Sequence, residues 1–172
     1  MRNKNVVFIT QAAMIAAIYY VLTWVSASFN LASGSVQMRL SEALCILPFF
    51  TPAAIPGLTI GCVVANLTAV EFLPLDMIIG SLATLLAGIL MYKCRNIRFK
   101  KLPLLSCLMP VIFNAVFVGA EIAYFMAKEG ESMVSAFFIN AALVALGELI
   151  SVYVLGLPLY KALENRKVFN MS

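Results

Sequence analysis

The stretch Gln37–Asn66, QMRLSEALCILPFFTPAAIPGLTIGCVVAN, decides the fold. It opens on Gln37, Arg39, Ser41 and Glu42 and passes at once into an apolar run. Pro48, Pro52 and Pro56, each four residues from the next, break that run, and Gly57 and Gly61 begin a second apolar segment that ends at Asn66. Proline lacks a backbone donor and clashes with the preceding turn, so the stretch cannot be one unbroken helix. Short apolar segments interrupted by Pro and Gly and flanked by ionisable residues point to a substrate site within a membrane bundle.

Composition agrees. Of 172 residues, 63% are hydrophobic and 12% charged, and the mean hydropathy is +0.98. Soluble domains sit nearer 45–50% apolar and about 25% charged. The chain therefore reads as an all-α integral membrane protein, a single domain over residues 1–172. Cys45, Cys62, Cys94 and Cys107 form no CxxC pair and read as small hydrophobes, so no disulfide or metal site is expected. Histidine is absent, which removes the commonest transition-metal ligand and neutral-pH base. The apolar run beginning at Val6 continues to about Ala27. That exceeds the roughly 7–15 residues of a signal peptide and reads as a retained first helix.

A spanning helix needs about 20 apolar residues. Six segments are expected: Val6–Ala27, Glu42–Thr51, Gly57–Val70, Asp76–Tyr92, Pro103–Ala127 and Val134–Tyr160. Ten of the twelve Lys and Arg fall at Arg2 and Lys4, between Lys93 and Lys101, and between Lys161 and Lys167. Cationic short loops stay in the cytoplasm, which places both termini and the 93–102 loop inside and requires an even number of spans. The net charge of +4 is then a topology signal and implies no nucleic-acid partner.

Ionisable groups within a span cost about 2.5–3.5 kcal/mol on insertion scales and normally face a cavity. Candidates are Gln37, Arg39, Glu42 and Asn66 around the broken segment, Asn114, Glu121 and Tyr124 on the fifth helix, and Asn140 and Glu148 on the sixth. Asn114 and Glu121 are seven apart and share a face. With aromatics Trp24, Tyr19, Tyr20, Tyr124 and Phe138, they suit a planar, donor-rich heterocycle, a cationic one included, because carboxylates accept and amides both donate and accept. Mutual hydrogen bonding between helices, worth about 0.6 kcal/mol each, is the competing use for the amides. Asp76 reads as a helix cap. The first helix carries two overlapping small-residue pairs, Ala12/Ala16 and Ala13/Ala17. Small residues four apart permit close helix approach, and two such faces exceed what one internal neighbour requires. No GxxxxGK[ST], GxSxG or HExxH motif occurs, and Asp76 is the only aspartate, so neither ATP binding in the usual way nor catalysis is expected.

Taken together, QMRLSEAL and LPFFTPAAIPGLTIGCVVAN, then DMIIGSLATLLA (76–87), PVIFNA (110–115), and NAALVALGE (140–148) with YVLGLPL (153–159) resemble the QueT family. That family is one of queuosine-precursor transporters, the substrate-binding (S) components of energy-coupling factor (ECF) importers. The resemblance runs from the first helix to Leu163; Thr68–Glu71 is less glycine-rich than the family pattern. It implies a six-helix bundle in the bacterial cell membrane, an outward-facing site for a 7-deazaguanine, and a transmembrane coupling subunit with two ATPase subunits as partners. It further implies that Ala12/Ala16 or Ala13/Ala17 meets the coupling subunit. ATP would be used by the partners, with no cofactor in this chain. A guanine-type edge would engage Glu121 or Glu148, and a 7-substituent Glu42. The alternatives are an S component for another vitamin, a proton-coupled secondary transporter using Glu121 and Glu148, and a membrane protein without a ligand.

Overall fold

The computed structural model describes residues 3–31, 38–69, 74–99, 102–126 and 132–166. Helix α1 (Lys4–Ser28) begins where the Asn3 side chain accepts from the Asn5 amide at 3.0 Å. It ends in a Schellman turn, with Asn30 at φ 54 and bonds from Asn30 N to Ala27 O and from Leu31 N to Ser26 O. Asparagine tolerates that left-handed position better than most residues. The inward stripe of α1 is Ala12, Ile15, Tyr19 and Ser26.

The second segment, Leu40–Phe49, is a 3-10 helix rather than the α-helix the sequence predicts, and every residue from Ser41 to Phe49 is buried. Runs this long are uncommon. Pro48 already removes one amide from the ladder, and enclosure supplies the rest of the explanation: the segment contacts α1, the helices introduced below as α2, α3, α4 and α6, and the π segment between α5 and α6. It starts where Ser26 Oγ accepts from the Leu40 amide (2.8 Å) and stops near Thr51, whose hydroxyl meets Gln11 Oε1 at 3.1 Å. It thus runs beside the stretch of α1 from Ser26 back to Gln11.

Helix α2 (Ala54–Leu67) returns along the same face. Pro56 sits in its first turn, where amides lack intrahelical partners in any case. Gly57 faces Ala12 and Ile15, and Gly61 faces Ala16 and Tyr19; a Cβ at either glycine would lie within 3.0 Å of α1. Helix α3 (Pro74–Lys93) carries Asp76 in its first turn and Lys93 in its last, in accord with the helix dipole. Helix α4 (Leu104–Met126) lies against α5 (Met133–Leu149), with Gly119 close enough to Ala141 that a Cβ would sit 2.7 Å from its Cα. Helix α5 widens into a π segment (Ile150–Gly156) and continues as α6 (Leu157–Arg166). Pro158 has no amide for the Val154 carbonyl and its ring crowds that turn, so the ladder loosens just ahead of it.

Four helical runs, Lys4–Ser28, Pro74–Lys93, Leu104–Phe125 and Met133–Asn165, are long and apolar enough to cross a membrane. Leu40–Phe49 and Ala54–Leu67 are shorter apolar helices, as the sequence expects of the broken segment. At one end of the bundle, Arg98 pairs with Glu164 at 3.1 Å and lies over the Phe49 ring at 4.9 Å, while Tyr160 donates to Glu164 at 2.9 Å. Phe49, Phe50 and Tyr160 close that end as one aromatic cluster. At the other end, Trp24 Nε1 donates to Thr68 and Arg39 faces Asp76.

The α1–α2 crossing yields a paired expectation. Gly57→Ala should lower stability by about 1–3 kcal/mol, because its Cβ would meet the Ala12 carbonyl oxygen at 2.8 Å. Gly88→Ala meets nothing nearer than 3.7 Å and should be neutral or gain up to about 1 kcal/mol of helix propensity. Thermal melts of the detergent-solubilised protein measure both.

Candidate binding cavity

Glu42 enters the bundle in the first turn of the 3-10 segment and is 3% exposed. A carboxylate there needs donors. Tyr19, fully buried on α1, donates its hydroxyl to Oε1, and Cys45 Sγ, one turn on, donates to Oε2 at 2.9 Å. Thr23 Oγ1 meets Ser41 Oγ at 2.9 Å. The polar entrance of the segment is therefore matched by a polar turn of α1.

Glu148, at the end of α5, is treated differently. Its Oε1 accepts from Asn114 Nδ2 of α4 at 2.7 Å, and its Oε2 is buried with no partner. Glu121, two turns beyond Asn114 and 6% exposed, has no partner on either oxygen. Buried polar atoms are normally bonded, so three free carboxylate oxygens in one region need an explanation. No cation among the described residues supplies it. Arg39 directs Nη1 to Asn66 Oδ1 at 3.5 Å and Nη2 to Asp76 Oδ2 at 3.9 Å. Asn66 in turn donates to the Asp76 carbonyl oxygen at 3.1 Å, tying the end of α2 to the start of α3.

A cavity opens between these groups. Arg39, Glu42, Thr84, Asn114 and Glu148 form its polar wall, and Cys62, Gly80, Val118 and Val144 the remainder. Its volume is about 370 Å³ out to the open mouth, but the free core is only about 20 Å³, room for roughly one water. A bicyclic ligand therefore requires the walls to move apart.

Arg39, Glu42, Asn114 and Glu148, read from the sequence as site residues, are thus brought together on one cavity. Asn66 stands behind Arg39. Glu121 lies on the same face of α4 one turn past Val118, off the lining itself. Gln37 lies outside the described residues. Asn140 commits its amide to the Ala136 carbonyl at 2.8 Å on its own helix. The expected convergence of aromatics is not observed: Tyr124 is 68% and Phe138 65% exposed, both on the outside of the bundle, and Trp24 binds Thr68. Only Tyr19 reaches the region, as the partner of Glu42. Asp76, read as a cap, also holds Arg39. Thr84 and Cys62 escaped the sequence reading. Thr84 follows Asp76 and Gly80 at four-residue intervals, a signal that could have found it, whereas its hydroxyl bond to the Gly80 carbonyl (2.9 Å) is what any threonine in an apolar helix does.

Comparison with known proteins matches residues 9–165 to the family model described as QueT transporter. The chain belongs to the QueT transporter family. The family is described as one of transporters, and the four long apolar helices fit a membrane protein. Among curated proteins, the chain is 33% identical over 104 residues to the queuosine precursor transporter QueT of Lactococcus lactis subsp. cremoris (strain MG1363). The match covers 59% of this chain and 58% of the relative, so the chain spans little more than half of that protein's length. No solved structure matches.

The two kinds of carboxylate should respond differently to neutralisation. Glu42→Gln leaves either Tyr19 or Cys45 facing a donor and should cost about 1–3 kcal/mol of stability. Glu121→Gln breaks no hydrogen bond and should leave the melting temperature unchanged or raised. Thermal unfolding of the two variants side by side measures the contrast.

Proposed function

We propose that this QueT family member is the substrate-binding component of an ECF-type importer, capturing a queuosine precursor of the 7-deazaguanine class at the Glu42–Asn114–Glu148 cavity. The observation that carries the reading is the unpartnered Glu148 oxygen on the wall of a cavity that is also lined by Arg39, whose side chain is 23% exposed. A group that is costly to bury without a partner is explained if a ligand with donor hydrogens supplies one.

The topology that goes with this reading is six crossings, with both termini and the 93–102 loop in the cytoplasm of a bacterial cell membrane. Arg98 and Glu164 already share one end of the bundle, and positive loops mark the inner face. Leu40–Phe49 spans about 20 Å at the 3-10 rise, and α2 about 21 Å at the α rise; flanking helices complete the crossing. The cavity mouth then faces outward, and ligand enters past Arg39 and Asp76.

The chain needs partners on this reading: a transmembrane coupling subunit and two ATPase subunits that hydrolyse ATP. The face for the coupling subunit is Ala13/Ala17. Ala12 is buried against Gly57 of α2 and the Ala16 backbone meets Gly61, while Ala13 and Ala17 are exposed, Ala17 on an apolar groove lined also by Ala16, Tyr20, Gly61 and Val64. Small residues four apart permit the close approach such docking needs.

The test is uptake of labelled 7-aminomethyl-7-deazaguanine into cells carrying this chain with and without the partner ATPases. Uptake should require the ATPases. The double change Ala13→Leu and Ala17→Leu should leave binding to the purified chain intact and cut uptake about tenfold or more, equivalent to about 1.4 kcal/mol or more. Uptake that persists without the ATPases and collapses with the proton gradient would instead establish a secondary transporter.

A further inference from the structure

We infer that the cavity is selective for a cationic ligand, one that places a protonated amine against the free oxygen of Glu148 while a flat, donor-bearing ring edge reaches Glu121. The inference rests on the capture reading above and specifies which members of that ligand class the site prefers.

The argument starts from what each carboxylate lacks. Both oxygens of Glu42 already hold donors, from Tyr19 and Cys45. Glu121 has both oxygens free, which is what a pair of adjacent ring donors needs for two parallel hydrogen bonds. Glu148 has one oxygen taken by Asn114 and one free, which suits a single donor group. Spacing agrees with this division. Glu148 is anchored to Asn114, and Glu121 lies seven residues further along α4, about 10 Å. A bicyclic base with a one-carbon amine arm is of the same order of length as that backbone rise.

Charge decides between an amine and a neutral arm. Glu148 is 7% and Glu42 3% exposed, and both line the same cavity. Arg39 is the one cation among the described lining residues, and its guanidinium is directed to Asp76 and Asn66. An anion buried without a counter-charge costs several kcal/mol. A neutral donor on Glu148 would complete its hydrogen bonding but leave that deficit. A protonated amine removes both, and its three N–H groups can reach Glu148 Oε2 with others to spare for neighbouring acceptors.

The experiment is calorimetric binding of 7-aminomethyl-, 7-hydroxymethyl- and 7-cyano-7-deazaguanine to the purified full chain and to Glu148→Gln and Glu121→Gln, each checked for folding by thermal melt. The aminomethyl compound should bind wild type about tenfold or more tighter than the other two, the gain expected of a hydrogen bond to a charged group. Glu148→Gln should abolish that preference, weakening the aminomethyl compound most, and Glu121→Gln should weaken all three alike. The hydroxymethyl compound, equal in size and neutral, tests charge without any variant. Equal binding of all three to wild type overturns the inference and leaves base capture standing, as does a preference that Glu148→Gln does not alter. Failure of every deazaguanine to bind folded wild type overturns the capture reading and the inference with it.

Discussion

The bundle depends on enclosing a segment that has no outward face. Leu40–Phe49 is buried residue after residue, so each polar group it carries must be answered from a neighbouring helix; in an apolar surrounding every unanswered one costs several kcal/mol. Helix α1 answers with Tyr19, Thr23 and Ser26, spaced four and three apart on one face. They meet Glu42, Ser41 and the Leu40 amide respectively. Below them, the same stripe becomes Ile15 and Ala12, packed on α2. One helix thus changes character along its length because the segment beside it does. The glycines of α2 follow from the same requirement: only without a Cβ can α2 come close enough to α1 to seal the enclosure.

The opposite wall is less tightly determined. Helix α5 loosens into the π segment immediately after Glu148, and Gly156 brings that segment against the Ala43 carbonyl oxygen, to which a Cβ would lie 3.3 Å away. Ser151 Oγ is buried there without a partner. Short π stretches inside α-helices often accompany functional sites. Here one joins the helix that carries Glu148 to the helix that closes the aromatic end through Tyr160. Two non-α segments, one 3-10 and one π, therefore pack on each other beside the cavity.

Much of this was legible in the residues, for reasons that also mark where legibility stops. Composition required a membrane bundle, and the ends of the helical runs follow the apolar segments. Pro48, Pro52 and Pro56 announced a break, but a 3-10 and an α ladder can be built from the same side chains; enclosure by neighbours, a tertiary property, separates them. Arg39, Glu42, Asn114 and Glu148 stood out because polar groups are rare in such helices. The same rarity singled out Tyr124 and Asn140, which the fold sets aside. Tyr124 projects outside the bundle, and Asn140 turns to its own backbone. Thr84 and Cys62 line the cavity yet are ordinary residues for an apolar helix. The two alanine pairs of α1 are equivalent as sequence. Gly57 and Gly61 distinguish them by packing α2 on the Ala12 and Ala16 side.

What remains is why selection would tolerate free carboxylates in a bundle so careful about Glu42. Agreement between local choices and the global fold is what gives a sequence one structure, and departures concentrate where function requires them. Glu42 meets donors because it belongs to the enclosure. Glu121 and Glu148 come from α4 and α5, where Gly119 and Ala141 bring the backbones together without any donor from either helix reaching the three free oxygens. The nearby guanidinium is kept from them by Asp76 and Asn66, which also tie α2 to α3 across the mouth. If Arg39 neutralised Glu148 instead, the deficit would vanish and the mouth would lose its tie. The ion pair at the mouth thus keeps the carboxylates available, and a free core no larger than about one water keeps the cavity narrow until a ligand separates its walls.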